Sequence, residues 1–281
     1  MRKRKAALRE SGMHLIFLLI ALAFVFPFLW SAVNSLKPAA EASASPPTFL
    51  PSVVSFQNFA KMGSYGAGLG VYFFNSLVAA SMTMIMSVFL SVTAGYGFAR
   101  FRFPFKNAMF LVIILTMVLP FQTIITPLFF FMNWLGLTNS LFGLALVYTV
   151  LQVAFGTLIM RNTFSSIPLE IEEAARIDGC NSAALMLKVM MPLATPGMIT
   201  VGIIAFINSW NEFLASLIFM SKESLFTLPV MLSNIRTGPY GSIDWGELQA
   251  GLIVATIPCM VLFLVLQRRY ISGLTSGSVK G

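Results

Sequence analysis

Charge is what this chain lacks. Only 10% of its 281 residues are Asp, Glu, Lys or Arg, while 57% are hydrophobic; an ordinary soluble domain carries about 25% charged residues. So few charges cannot cover the surface of a water-soluble fold, and the composition calls for an integral membrane protein. There is one histidine, His14, and there are two cysteines, Cys180 and Cys259. The cysteines fall in a charged loop and in an apolar run respectively, and neither has metal-ligand spacing. A disulfide, a metal cluster, a Cys/His nucleophile pair and a histidine proton relay are therefore all unsupported. The strict apolar/polar alternation of a transmembrane barrel is missing. So is a Gly-rich loop ending in Lys-Ser/Thr, so the chain cannot cradle ATP by that means and no cofactor is expected in it.

What is present is a set of six apolar stretches: Leu15–Val33, Phe73–Gly97, Ala108–Phe131, Leu141–Met160, Met198–Met220 and Ala250–Gln267. Crossing about 30 Å of hydrocarbon as a helix takes roughly 20 residues, so the expected fold is all-α with six transmembrane helices. A net charge of +8 would suit a nucleic-acid partner, but its distribution argues otherwise. Fourteen of the 18 basic residues lie before span one, between spans two and three, between four and five, or after six. Lys37, Lys61, Lys222 and Arg236 alone fall on the other side. The positive-inside rule then puts both termini in the cytoplasm, in a cell membrane, with a lipid bilayer and no nucleic acid as partner. A signal-peptide reading of span one, ending at Ala42-Ser43-Ala44, meets two objections. The apolar core exceeds the 7–15 residues of a signal sequence, and the cleavage site lies well beyond it.

The chain divides into three parts. Residues 1–70 hold the tail, the first span and a Pro/Ala/Ser-rich outward loop. Residues 71–267 form a five-helix core with a charged loop at 165–192, and 268–281 a cytoplasmic tail. A second outward loop, 221–249, has Gly238-Pro239-Tyr240-Gly241 as its turn and Trp245 as an interface anchor.

The loop at 165–192 predicts two short helices. Ser165 or Ser166 caps the first, Pro168 fits its first turn, and Glu170, Glu172 and Glu173 suit the helix dipole. Glu172 and Arg176 are spaced for an i,i+4 pair. Gly179 ends the helix left-handed, Asn181 or Ser182 starts the next, and Pro192 limits it. Ile171, Ala174, Ala175 and Asp178 share a face that the alanines keep low, open to another protein's groove; an amphipathic hairpin lying on the headgroups fits the same spacing.

Glu172-Glu173-Ala174-Ala175-Arg176-Ile177-Asp178-Gly179, followed by Val189 and Met191-Pro192, resembles the EAA loop of membrane subunits of ABC importers. Further segments resemble the maltose/multiple-sugar branch of these permeases, specifically its second subunit. They are Asn75-Ser76, Tyr96-Gly97-Phe98-Ala99-Arg100, Trp210-Asn211-Glu212-Phe213, Thr227-Leu228-Pro229-Val230 and the terminal Gly273–Gly281. The resemblance implies a type I importer permease fold in which Glu172, Glu173, Ala174, Ala175, Asp178, Gly179 and Pro192 shape a coupling helix for an ATPase. It implies a second permease subunit in a heterodimer, an ATP-binding-cassette ATPase dimer, an extracytoplasmic solute-binding protein and a carbohydrate substrate. It also implies that the tail around Thr275, Ser276 and Lys280 reaches the ATPase, although its Gly, Ser and Thr content alone favours a solvated end.

Glu212 is the one charged side chain inside any of the six stretches, and it comes with Asn208, Ser209, Trp210 and Asn211. Charges at the bilayer centre cost about 2.5–3.5 kcal/mol and usually face a cavity or a partner. Amides, a carboxylate and an indole suit a sugar ring, so Asn208, Trp210, Asn211 and Glu212, with Asn75 and Gln122 as weaker companions, are expected to line the substrate pathway. Helix-to-helix packing is the other role such groups take. Glycerol phosphate is an alternative solute. An ion-coupled secondary transporter would need more intramembrane carboxylates than one, and no inverted repeat accompanies Glu212.

Overall fold

The computed structural model describes residues 2–236 and 243–278, with side chains placed for 12–236 and 243–265. Every regular element among the described residues is helical. The turn expected at Gly238–Gly241 lies outside the described residues, as does Lys280.

In chain order the α-helices are α1 (Arg2–Ser35), α2 (Ala39–Ala42), α3 (Gln57–Ser64), α4 (Leu69–Arg100) and α5 (Lys106–Leu115). They continue with α6 (Phe121–Trp134), α7 (Leu141–Ser165), α8 (Leu169–Ile177), α9 (Ser182–Ala184) and α10 (Met191–Leu193). The last four are α11 (Thr195–Trp210), α12 (Leu214–Phe219), α13 (Leu228–Arg236) and α14 (Trp245–Ser278). Four helices have the length and apolarity to cross a membrane unaided: Gly12–Ser35 of α1, α4, α7 and Trp245–Val265 of α14. Two bent pairs, Lys106–Val118 with Phe121–Trp134 and Ser182–Leu193 with Thr195–Trp210, make six if each pair is one span.

Prolines inside an apolar run predict kinks, and one of the two in span three marks its bend. Span three turns by 104° where Leu119-Pro120 interrupts it. Pro120 lacks an N–H to continue the ladder and forces the residue before it out of the α region. Pro127, by contrast, lies inside α6. Span five loses its helix again at Asn211, so the expected continuous run to Met220 is two pieces, α11 and α12.

The helices gather into two compact units, residues 1–70 with 231–257 and residues 71–230 with 258–281. Residues 231–257 thus join the unit of the first span, not the remainder of the core. In the first unit, Asn58 of α3 is fully buried and donates to the carbonyls of Ser35 (2.9 Å) and Lys37 (2.7 Å), which fastens α3 to the end of α1. The side chain of Lys37 is 0% exposed. Its ammonium donates to Asn34 Oδ1 and the Thr48 carbonyl and lies 4.9 Å from the Trp30 ring centre. These contacts meet the needs of a buried cation. None of the apolar window of α1 is buried, as suits a helix facing lipid or another subunit.

The second unit has two cores. One joins α4, α6, α7 and α12 around Tyr148, Leu144 and Phe219. The other joins the far ends of α4 and α7 to α8 and the start of α11 around Tyr96, Phe164 and Met190. Asn139, at a left-handed φ of 54°, accepts the backbone N–H groups of Ser221 (2.7 Å) and Lys222 (3.2 Å). That pins the short α6–α7 loop to the end of α12.

Candidate functional site

The loop at 165–192 begins without the expected serine cap. α7 runs to Ser165, and Ser166 closes it, its hydroxyl donating to the Thr163 carbonyl at 2.8 Å. α8 starts instead after Pro168, at φ −56° and ψ 142°, whose extended backbone sets the turn. Glu170 and Glu172 occupy the first turn as the helix dipole favours.

Glu172 does not pair with Arg176. It turns inward, 5% exposed, into an ion pair with Arg100 at the end of α4. Arg100 Nη2 also donates to the Ile167 carbonyl. Arg100 Nε and Glu172 Oε1 are in charge contact without hydrogen-bond alignment, so the attraction is coulombic. One turn on, Ala175 is buried against the cluster of Tyr96, Met160 and Phe164. The expected four-residue face is therefore split. Ala175 and Glu172 hold the helix to its own chain, because Arg100 supplies a partner there. Ile171, Glu173, Ala174 and Asp178 remain exposed, and Ile177 is 86% exposed.

The end of α8 is as expected. Gly179 has φ +85°, its N–H bonds the Arg176 carbonyl, and the Cys180 N–H bonds that of Ala175, each at 3.0 Å. This double closure is the Schellman motif, with Gly179 in the left-handed position. Asn181 caps α9 by accepting the Ala184 N–H at 2.8 Å. The chain then widens into a π-helical turn, Leu185–Met190, just before Pro192. A proline ring collides with the carbonyl four residues back in an α-helix, and the wider turn relieves it. A bend of 75° follows into α11.

The polar patch is not one helical face. Asn211 is the C-cap of α11 and Glu212 lies beyond it. Both carboxylate oxygens of Glu212 accept the Ala215 N–H at 3.0 Å, and Oε2 also the Ser216 N–H at 3.4 Å, so Glu212 caps α12. Trp210 is 2% exposed, stacked on Phe206 and edge-on to Phe73. Asn75 is buried and donates to the carbonyls of Ser224 (2.9 Å) and Phe226 (3.0 Å). Both are packed inside the chain. Gln122, at the start of α6, is exposed. Asn208 is exposed and donates to Gln152 Oε1 of α7 at 2.9 Å. Gln152 is a residue that reading the sequence missed, although it is the one amide in the apolar stretch Leu141–Met160. Asn208 and Asn211 are exposed and Gln152 and Glu212 half-buried, which leaves these four as the polar group beside the break between α11 and α12. Glu247 in the first turn of α14 is an acid inside a spanning helix, buried to 8% exposure. Thr275 and Ser276 fall in the last turns of α14, with side chains outside the described residues.

A broken span, a capped polar break and an exposed short helix locked to span ends are the features to set beside known proteins. The family model for the binding-protein-dependent transport system inner membrane component matches residues 87–275. The chain belongs to that family. Its relatives include the sulfoquinovosyl glycerol transport system permease protein of Agrobacterium fabrum, 36% identical over 96% of this chain and 95% of that one. The arabinooligosaccharides transport system permease protein of Bacillus subtilis is 34% identical over 95% and 94%. The trehalose transport system permease protein of Mycobacterium tuberculosis is 33% identical over 92% and 93%. Among solved structures, a chain of a bacterial ABC transporter that imports the acidic polysaccharide alginate superposes with a TM-score of 0.80 at 24% identity, over 92% of this chain and 96% of that one. The fold is that of an ABC importer permease, and this permease is a transport subunit. Membership removes the ion-coupled carrier reading.

Proposed function

We propose that this permease forms half of the pathway for a sugar or oligosaccharide, paired with a second, different permease subunit and driven by a separate ATPase dimer. The observation that carries the reading is α8, clamped to its own chain by Glu172 and Ala175 while Glu173, Ala174, Ile177 and Asp178 face outward. A helix held rigidly from beneath transmits a push, and a rigid-body rotation of the two halves is the motion alternating access requires. The basic residues flanking the spans support an arrangement with both termini in the cytoplasm, on the same side as α8.

The sugar substrate is supported by the relatives, whose names specify sulfoquinovosyl glycerol, arabinooligosaccharides and trehalose. Another structural relative, a bacterial alginate transporter, was solved in complex with a periplasmic protein carrying an alginate pentasaccharide, which supports delivery by a solute-binding protein. Asn208, Gln152, Asn211 and Glu212 supply amide and carboxylate groups and no cation. That set suits hydroxyls and disfavours glycerol phosphate, which would need a positive partner.

Proteoliposomes test this. The chain alone should neither hydrolyse ATP nor concentrate a saccharide, and uptake should appear on adding an ATPase, a second permease and a binding protein. Accumulation by the isolated chain under an ion gradient would refute it.

A further inference from the structure

Within the first unit, the end of α1, the start of α14 and the 42–47 segment enclose a cup of about 320 Å³. Its walls carry two indoles, Trp30 and Trp245, two amides, Asn34 and Gln249, and two hydroxyls, Ser43 and Ser45. We infer that this cup is a second saccharide-binding site, for a single neutral sugar ring, separate from the patch around Glu212. The inference rests on the sugar-importer reading and adds a site to it.

Three observations carry it. The first is the donor set. An indole offers an apolar face to the C–H side of a sugar ring, and amides and hydroxyls both give and accept hydrogen bonds. Trp245 is 44% exposed, so its ring is available, while Trp30 is held in place by Phe49, 5.6 Å away edge-on, and by the Lys37 ammonium.

The second is an unmet acceptor. Gln249 Oε1 is buried and has no hydrogen-bond partner. A buried amide oxygen left unpaired is costly, and a shift of the Gln249 side chain as a ligand enters would open that oxygen to one of its hydroxyls. Asn34 shapes the wall, its Oδ1 accepting from Lys37 at 2.9 Å and its Nδ2 donating to the Ala42 carbonyl at 3.4 Å.

The third is the absence of charge. No Asp, Glu, Lys or Arg among the described residues lines the cup. The nearby cation, Lys37, is fully buried and committed to Asn34, the Thr48 carbonyl and the Trp30 face. A phospholipid headgroup or an acidic sugar would find no partner for its anion, whereas a neutral polyol meets only neutral groups. The volume suits a ring, being at the small end of ligand pockets.

The test uses the permease assembled with its partner permease and ATPase in nanodiscs, without binding protein. Trehalose, arabinotriose and diacetylchitobiose serve as probes, followed by saturation-transfer NMR. At least one should bind, and Trp245→Ala and Gln249→Ala should each weaken it roughly tenfold or more. Trp245→Phe, which keeps an aromatic face, should restore most of it, and Trp134→Ala should leave it unchanged. Binding unaltered in both cup variants, or binding by none of the probes, overturns the site. So does loss of co-purified phospholipid phosphorus on changing Trp245, which would make the occupant a lipid. Uptake separates the two readings. Wild-type transport of a saccharide by both cup variants sinks the cup and leaves the sugar importer standing; no transport of any saccharide by the wild-type assembly sinks both.

Discussion

At the scale of single residues, the Arg100–Glu172 pair holds α8 to the rest of the chain. Both side chains are buried, so removing one partner strands a charge away from water. Arg100→Leu is expected to destabilise the permease by about 3–5 kcal/mol, and the double change Arg100→Leu with Glu172→Leu to recover most of that. Thermal unfolding of the purified complex measures both; a double variant as weak as the single one would show that the charges do not act as a pair. Glu212 gives a second residue-scale prediction. Its oxygens cap α12, and glutamine keeps one acceptor where alanine keeps none. Glu212→Ala should cost about 1 kcal/mol and Glu212→Gln much less. A change in saccharide preference with Glu212→Gln at unchanged stability would place the carboxylate on the pathway. Equal losses of stability in the two variants would rule out the cap.

At the scale of elements, close approach of α4 and α7 depends on glycine. A Cβ on Gly95 would sit 2.5 Å from Met160 Cβ and 2.8 Å from the Arg161 backbone nitrogen. Gly95→Ala should therefore force the two helices apart at a cost of about 1–3 kcal/mol. An alanine variant with wild-type thermal stability would contradict that packing. The ends of elements were legible where local chemistry alone decides them: Gly179 demanded a left-handed turn, and Asn181 a cap. What escaped was decided by neighbours distant in sequence. Glu172 had a plausible partner four residues away, but Arg100, more than seventy residues earlier, won because it is buried beside it. The alanines looked equivalent until packing against Tyr96 and Phe164 took Ala175 and left Ala174 outside. Pro120 and Pro127 both offered a kink in span three, and the sequence did not tell that the chain breaks at the first and runs helically through the second. Trp210 and Asn75 read as pathway groups because residue type gives no direction, and both point into the protein.

At the scale of the whole molecule, the all-helical membrane fold followed from hydropathy, and the family from the loop at 165–192. Orientation is the prediction at this scale. Reporter fusions after Lys106 and after Lys188 should report cytoplasm, and one near Lys222 the outside. An external signal at Lys188 would separate α8 from any cytoplasmic ATPase.

The account's central claim is that α8 and its closing turn pass the ATPase's motion to the spans. Gly179 is the position where this is cleanest to ask. A Cβ there would meet nothing within 4 Å, so the strain of Gly179→Val comes from φ +85° alone and leaves neighbouring contacts intact. The measurement is substrate-stimulated ATP hydrolysis by the assembled importer, with co-purification of the ATPase read alongside. Gly179→Val should insert normally yet lose stimulation or the ATPase itself, with Gly179→Asn closer to wild type and Glu173→Lys impaired by charge at the exposed face. Wild-type stimulation and wild-type ATPase recovery in both Gly179→Val and Glu173→Lys would mean that this loop is not the coupling element.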